Sequence, residues 1–232
     1  MIDRTDEQLG LAMRRIVTLH LWQLGAIKVS LTKPYRLASG NFAPIYVNCR
    51  LLISSPSFAD IFAAAARMIC ETERIEFDVI AGGETAGIPF AAFLARALGR
   101  PMVYVRKEQK GHGTGSQIEG SLRRGARVLL VEDLITDAGS KLTFIRALHR
   151  ARARVKDVLV IFDRLQGGRE ALAREGVRLH TVTNMDTALL EARAVGLLTA
   201  RDLKSVQGYL KSPRAWHQKR SLPFRSTSRP RN

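Results

Sequence analysis

Residues 128–141 read Val-Leu-Leu-Val-Glu-Asp-Leu-Ile-Thr-Asp-Ala-Gly-Ser-Lys. Four apolar residues in succession suit a strand buried on both faces of a parallel sheet. Two adjacent carboxylates, Glu132 and Asp133, follow at the strand end. There they can accept hydrogen bonds from sugar hydroxyls or hold Mg²⁺, usually through water. The turn Thr136-Asp137-Ala138-Gly139-Ser140 then enters a helix, presenting backbone N–H groups and hydroxyls to a phosphate at the positive end of the helix dipole. Neither the spacing GxxxxGK(S/T) nor GxGxxG occurs here, so nucleoside triphosphate and dinucleotide loops are not supported.

The same texture repeats on either side. FDVIA (77–81), PMVYV (101–105) and VLVIF (158–162) are further apolar runs, and helical patterns lie at about 87–98, 139–153 and 168–175. Such alternation predicts a doubly wound α/β domain with a mainly parallel sheet and right-handed crossovers. VRLHTVT (177–183) adds a strand, and 185–210 reads as two short helices. Ahead of this core, residues 7–23 form an amphipathic helix and 27–50 a small hood of irregular strands and loop, with an alanine-rich helix at 57–74. The expected organisation is therefore a helix and hood at 1–56, an α/β core at 57–210 and a tail at 211–232.

Ligands of open parallel sheets sit beyond the carboxyl ends of the strands. Three more loops stand there. Residues 82–89, GGETAGIP, pair glycines with a helix start, which allows close approach of an anion and equally suits a tight strand-to-helix turn. Residues 106–115, RKEQKGHGTG, interleave Arg106, Lys107, Lys110 and His112 with three glycines. That composition reads as a cationic flap able to close over phosphate oxygens, or as a solvated hairpin. Arg164, in DRLQGG after VLVIF, is placed for a bidentate carboxylate contact or for a salt bridge with Asp163.

Composition bounds the partners. The chain has 232 residues, 46% hydrophobic and 25% charged, which excludes a largely disordered chain and a disulfide scaffold. A net charge of +16 points to anionic partners. Lys211, Arg214, Lys219, Arg220, Arg225, Arg229 and Arg231 lie in the last 22 residues with no acid among them, so much of that excess belongs to a tail that reads as disordered or loosely draped. Cys49 and Cys70 lack metal-site spacing and read as free thiols of a reducing compartment. No apolar run approaches the roughly 18 residues of a membrane span, and the N-terminus lacks a signal-peptide core, so a cytoplasmic location is expected.

VLLVEDLITDAGSK resembles the phosphoribosyl pyrophosphate (PRPP) signature of type I phosphoribosyltransferases, and YVRKEQKGHGTGSQIEG resembles the catalytic flap of their orotate phosphoribosyltransferase branch. GGETAGIPFAA, PYRLASGNFAPIYVNCR and FDR extend the resemblance over roughly residues 30–165. It implies transfer of a 5-phosphoribosyl group from PRPP to orotate with Mg²⁺, in pyrimidine biosynthesis. It further implies that PRPP is bound by Arg106, Lys107, Lys110, His112, Glu132, Asp133, Leu134, Ile135, Thr136, Asp137, Ala138, Gly139 and Ser140. Lys110 and Asp133 would be the catalytic residues. Thr136, Arg164 and Tyr46 would bind orotate, with Ser39-Gly40 in the hood. No metal ligand is assigned, Mg²⁺ being held mainly by PRPP and water. Flap residues of the family reach a neighbouring subunit's site, which implies a homodimer. The pattern departs at Ala38, where many members have Lys, and at Thr85-Ala86, where others carry Tyr-Lys. A phosphoribosyltransferase for another base and a PRPP-sensing nucleic-acid-binding regulator are the alternatives, the second being the weaker because a sensor needs no flap.

Overall fold

A computed structural model of the chain describes residues 4–37, 39–108 and 116–225, with the side chains of 4–7 left aside. Helix α1 (Arg4–Gln23) precedes four short hood strands, β1 (Ile27–Val29), β2 (Tyr35–Arg36), β3 (Phe42–Ala43) and β4 (Ile45–Val47). They pair antiparallel as β1 with β4 and β2 with β3. A 3-10 turn (Cys49–Ser54) leads into α2 (Pro56–Thr72), which starts on the Ser55 hydroxyl accepting the Phe58 N–H.

The core follows as β5 (Val79–Gly83), α3 (Gly87–Leu98), β6 (Met102–Val105), β7 (Ile118–Glu119), β8 (Arg127–Ile135), α4 (Gly139–Arg150), β9 (Arg154–Asp163), α5 (Gly168–Arg174), β10 (Arg178–Asn184), α6 (Met185–Ala194), α7 (Ala200–Lys211) and α8 (Pro213–Gln218). The six-stranded sheet runs β10-β9-β8-β5-β6-β7. Every neighbour pair is parallel except β6 with β7. From the central pair, β5 crosses through α3 to one side and β8 through α4 to the other. The chain therefore reverses its winding between β5 and β8, and ligands of open α/β sheets bind outside the carboxyl ends at such a point.

Alternation along β8 divides the interior. Leu129 and Val131 face a layer built from α1, α2, α3, α6, α7 and the hood, while Val128 and Leu130 face α4 and α5. Phe58, Phe62, Phe90, Phe144 and Phe162 are among the largest fully buried side chains, each contributing about 1.5–3 kcal/mol through removal from water.

Three features depart from the sequence expectation. The glycine pair at 82–83 closes β5 instead of opening a loop, because β5 is central and its register extends to Gly82↔Tyr104 and Gly83↔Val105. Glu132 and Asp133 likewise lie within β8, which continues to Ile135. Finally, the tail is not loosely draped as far as Arg225. Residues 213–218 are helical, Trp216 and His217 are buried, and Trp216 packs edge-on against Tyr209 at 5.3 Å. Aromatic burial here outweighs the polar, basic composition. Residues 226–232 lie outside the described residues.

Phe144 is 1% exposed in the second layer, so Phe144→Ala should cost about 3–5 kcal/mol of folding free energy, read as a lowered denaturation midpoint at unchanged slope.

Candidate active site at the carboxyl ends of the strands

Helix starts differ according to where they lie. The side chains of Ser55, Asn184, Thr199 and Ser212 cap α2, α6, α7 and α8, of which α6 alone begins just beyond a strand of the large sheet, the edge strand β10. By contrast α3, α4 and α5, which begin just beyond β5, β8 and β9, start on Ala86, Ala138 and Gly167, with no side-chain cap. A missing cap forgoes about 1 kcal/mol and leaves first-turn N–H groups free to meet an anion. In α4, Ala138 and Gly139 follow Asp137, whose Oδ1 accepts the Gly139 N–H at 3.1 Å. Ala138 holds a left-handed φ of 67°, which folds the 136–140 loop back towards the sheet. Ser140 and Gly139 are exposed, and Thr136 is half-buried. Leu134, Ile135 and Ala138 turn their side chains into the core, so of these three only backbone is left for a ligand.

The two acids are not equivalent. Successive β8 side chains point to opposite faces, and both are nearly inaccessible, Glu132 at 4% and Asp133 at 8%. Glu132 Oε2 pairs with Lys141 Nζ at 2.7 Å, both side chains being buried. Burial pushes the Glu132 carboxyl up, and the Lys141 charge and hydrogen bond pull it back in part. Its Oε1 lies in a glycine cradle beside the Gly83 backbone, which helps to lower the carboxyl, for a Cβ at Gly83 would land on Glu132 Oε1 and the Phe144 ring, and one at Gly87 on Oε1 and within 2.6 Å of the Val131 carbonyl. The 82–89 glycines therefore serve close packing around an acid as well as the turn. Asp133 faces the hood: burial raises the Cys49 thiol, the Asp133 charge adds to the rise, and the Arg164 and Lys141 charges oppose it. Asp133, Arg164 and Lys141 thus each lie within electrostatic reach of Cys49, in the 3-10 turn.

Arg164 completes this group. Its N–H donates to the Ile135 carbonyl at 3.0 Å, tying the β9 loop to the β8 loop. Among the described residues no ion pair joins it to Asp163, whose Oδ1 instead accepts the Leu165 N–H. Among the described residues the buried Arg164 Nε has no hydrogen-bond partner. A half-buried guanidinium with an open donor suits a carboxylate ligand better than a structural tie.

The flap is anchored at both ends. Glu84 N–H donates to Val105 O, and Glu84 Oε2 accepts the Lys107 N–H, each at 2.8 Å. Arg106 N–H donates to Gln117 O, and the Gln117 amide donates to the carbonyls of Arg106 and Lys107. Arg106 Nη1 stands 3.6 Å from Glu119, while the Lys107 side chain is exposed. Lys110 and His112, two of the flap residues named from sequence, lie outside the described residues. Tyr46 is placed on β4 with its ring 5.6 Å from that of Tyr35, without a hydrogen bond or ring contact to Arg164. Sequence reasoning gave no role to Lys141, Glu84 or Tyr209. A lysine at the third position of a helix that starts after an acid pair was the available signal for the first; nothing local marks the other two.

Uncapped helix starts, an acid pair and an arginine follow the strand ends around the winding reversal of a parallel sheet, and the chain as a whole is that of a phosphoribosyltransferase. Residues 52–186 match the family model of the phosphoribosyl transferase domain. The chain is 43% identical over 211 residues to the orotate phosphoribosyltransferase of Sinorhizobium medicae, an alignment covering 89% of this chain and 91% of that one. Among solved structures, orotate phosphoribosyltransferase from Aeropyrum pernix superposes with a TM-score of 0.65 at 30% identity, covering 75% of this chain and 98% of that one. The Mycobacterium tuberculosis orotate phosphoribosyltransferase in complex with PRPP superposes at 0.62 with 27% identity, over 76% and 98%. The chain belongs to the phosphoribosyltransferase family, in its orotate phosphoribosyltransferase branch.

The buried pair makes a pH-dependent prediction. Lys141→Met leaves Glu132 buried without its cation and should destabilise the fold by about 3–5 kcal/mol at neutral pH. Without Lys141 the folded-state pKa of Glu132 rises further above its unfolded value, so the deficit grows as pH climbs above the ordinary carboxylate range and shrinks in acid. Denaturant titrations of both proteins at several pH values check this; a deficit independent of pH would contradict it.

Proposed function

We propose that the chain transfers the 5-phosphoribosyl group of PRPP to orotate, forming orotidine 5′-monophosphate and pyrophosphate. The carrying observation is Arg164, a half-buried guanidinium with a buried, unpartnered Nε, tied by its backbone to the phosphate-type loop at Ile135. This supports reading Arg164 as a carboxylate receptor beside a loop that would receive phosphate.

In this reading residues 136–140 receive the 5-phosphate, with backbone N–H groups and the hydroxyls of Thr136 and Ser140 as donors. Asp133 accepts from the ribose hydroxyls, and Glu132 holds the floor beneath them through its pair with Lys141. Arg164 binds the carboxylate of orotate, with Thr136 beside it and Tyr46 in the hood. The bond from the anomeric carbon to pyrophosphate breaks with its electron pair leaving on the pyrophosphate. Arg106, Lys107, Lys110 and His112 are the donors that meet this charge. Because the ribosyl group gains oxocarbenium character, fixed cations in a site shielded from water lower the barrier chiefly by stabilising the departing anion. The segment between β6 and β7, rooted through Glu84 and Gln117, supplies the shield when it closes.

Asp133, with PRPP phosphate and water oxygens, fits Mg²⁺, a hard cation that keeps several waters and takes one or two carboxylates beside substrate phosphates. When bound, the ion supplies charge neutralisation on the pyrophosphate. A homodimer sharing flap residues and a cytoplasmic location complete the proposal; among the described residues no helix is long and apolar enough to cross a membrane.

Purified protein given orotate, PRPP and Mg²⁺ should deplete orotate absorbance, and its persistence would sink the proposal. Arg164→Ala should raise the KM for orotate roughly 10- to 150-fold, the equivalent of one charged hydrogen-bonding partner, with PRPP binding little changed. Lys110→Ala should lower kcat by about 10²- to 10³-fold while weakening PRPP binding far less, as expected of a group acting on developing charge. Steady-state kinetics in both substrates separates these outcomes.

A further inference from the structure

The C-terminal segment, which the family pattern leaves without a role, is fastened to the hood by specific hydrogen bonds. His217, with no solvent exposure, stands between them. Its Nδ1 lies 2.6 Å from the Pro213 carbonyl and its Nε2 3.0 Å from the Phe42 backbone nitrogen. A carbonyl only accepts and a backbone N–H only donates, so the imidazole is neutral, with Nδ1–H donating to Pro213 O and the Nε2 lone pair accepting the Phe42 N–H. One residue away, the Asn41 side chain brackets the backbone of Arg225: Nδ2 donates to Arg225 O at 2.9 Å, and Oδ1 accepts the Arg225 N–H at 2.7 Å. Asn41 is itself buried. The Arg225 side chain then lies across the open face of Gly40, whose φ of 82° keeps that turn free of a side chain.

The other side of the segment leads back to the site. The His217 ring contacts the Tyr209 ring at 6.4 Å, Trp216 stands edge-on to both, and Phe224 closes the cluster at 5.0 Å from His217. Burial raises the Tyr209 phenol and the Arg164 charge lowers it, which places α7 within reach of the candidate carboxylate receptor. Packed groups join Tyr209 to the hood turn through His217 and Phe42, with the Arg164 charge felt at the Tyr209 end.

We propose that His217 and Asn41 are positioning residues for orotate, clasping the hood turn at 39–42 to the C-terminal segment so that the hood is held at a fixed distance from Arg164. This rests on the orotate reading of Arg164. Three separate hydrogen bonds end on two consecutive hood residues, and all of them cross more than 170 residues of sequence. That is the arrangement expected of a wall held in place rather than of a chain end finding a resting place, since binding sites work only when their supporting shell is fixed. The clasp ends on the hood turn and the C-terminal segment, and none of its hydrogen bonds reaches the 136–140 loop.

The experiment uses His217→Phe, which keeps a ring but removes the acceptor, His217→Gln, whose amide oxygen can again accept from Phe42, and Asn41→Ala in the full chain. Wild-type turnover with orotate first establishes the underlying reading; its absence would count against that reading and not against the clasp. Hydrogen exchange at the Phe42 amide then reports the clasp independently of activity. His217→Phe should speed that exchange and raise the KM for orotate about tenfold, the scale of one lost buried hydrogen bond, with the KM for PRPP changed less than about twofold. His217→Gln should restore both in large part. Should His217→Phe fail to fold, Asn41→Ala carries the same expectation. Faster Phe42 exchange with an unchanged orotate KM would overturn the proposal, as would equal losses for both substrates that Gln does not restore.

Discussion

Glu132 and Lys141 form an ion pair removed from water at the point where the sheet reverses its winding, and much of the site's geometry follows from accommodating it. A carboxylate in that position needs a cation from the first turn of α4, which fixes how the helix meets the strand. It also needs room, which is why two neighbouring backbones carry glycine at 83 and 87. With Glu132 committed downward into the floor, Asp133 is turned towards the hood by strand alternation alone. One acid thus ties β8 to α4, and the other is left facing the hood. Buried ion pairs contribute modestly to stability when compared with apolar replacements, but their geometry is hard to satisfy in more than one way, and here that specificity is what the site uses.

Around this floor the walls come from different distances along the chain. The phosphate loop and Arg164 belong to adjacent strands and are joined by a single backbone hydrogen bond. The base of the flap is tied across from β5 by Glu84. The hood is remote in sequence from both and is held from outside by the last helices. Local elements accordingly furnish the groups that recognise charge, while long-range contacts set the spacing among them. Such a division suits a reaction in which two substrates must be brought to a common carbon with little tolerance for error.

Much of this was legible in the sequence because the strands are apolar throughout and the loops after them are not. VLLVEDLITDAGSK placed a strand, an acid pair and a helix start in one run, and Arg164 followed VLVIF closely enough to be located at a strand end. Boundaries were less legible where tertiary pairing overrides composition. Gly82 and Gly83 look like a turn, yet β6 and β8 draw them into the sheet. Strand β7 is only Ile118 and Glu119, too short to carry a period, and exists because β6 offers it an edge. The pair formed by Glu132 and Lys141 is set by how α4 packs on β8, since eight residues of strand, turn and helix separate them. The C-terminal segment was the hardest: Pro, Ser and Arg dominate its composition, while its fate is decided by Trp216 and His217 and by partners some 175 positions away.

The bare starts of α3, α4 and α5 have a thermodynamic side. Each forgoes the stabilisation that Ser55, Asn184, Thr199 and Ser212 give to other helices, so the ligand-free fold carries its weakest helix ends together in one place. An anion seated there would act as the missing cap and return that stability to the whole domain, since any ligand that binds the folded state alone shifts the folding equilibrium in its favour. Recognition of phosphate and consolidation of the fold would then be one event, in which the substrate finishes the secondary structure that the chain leaves open.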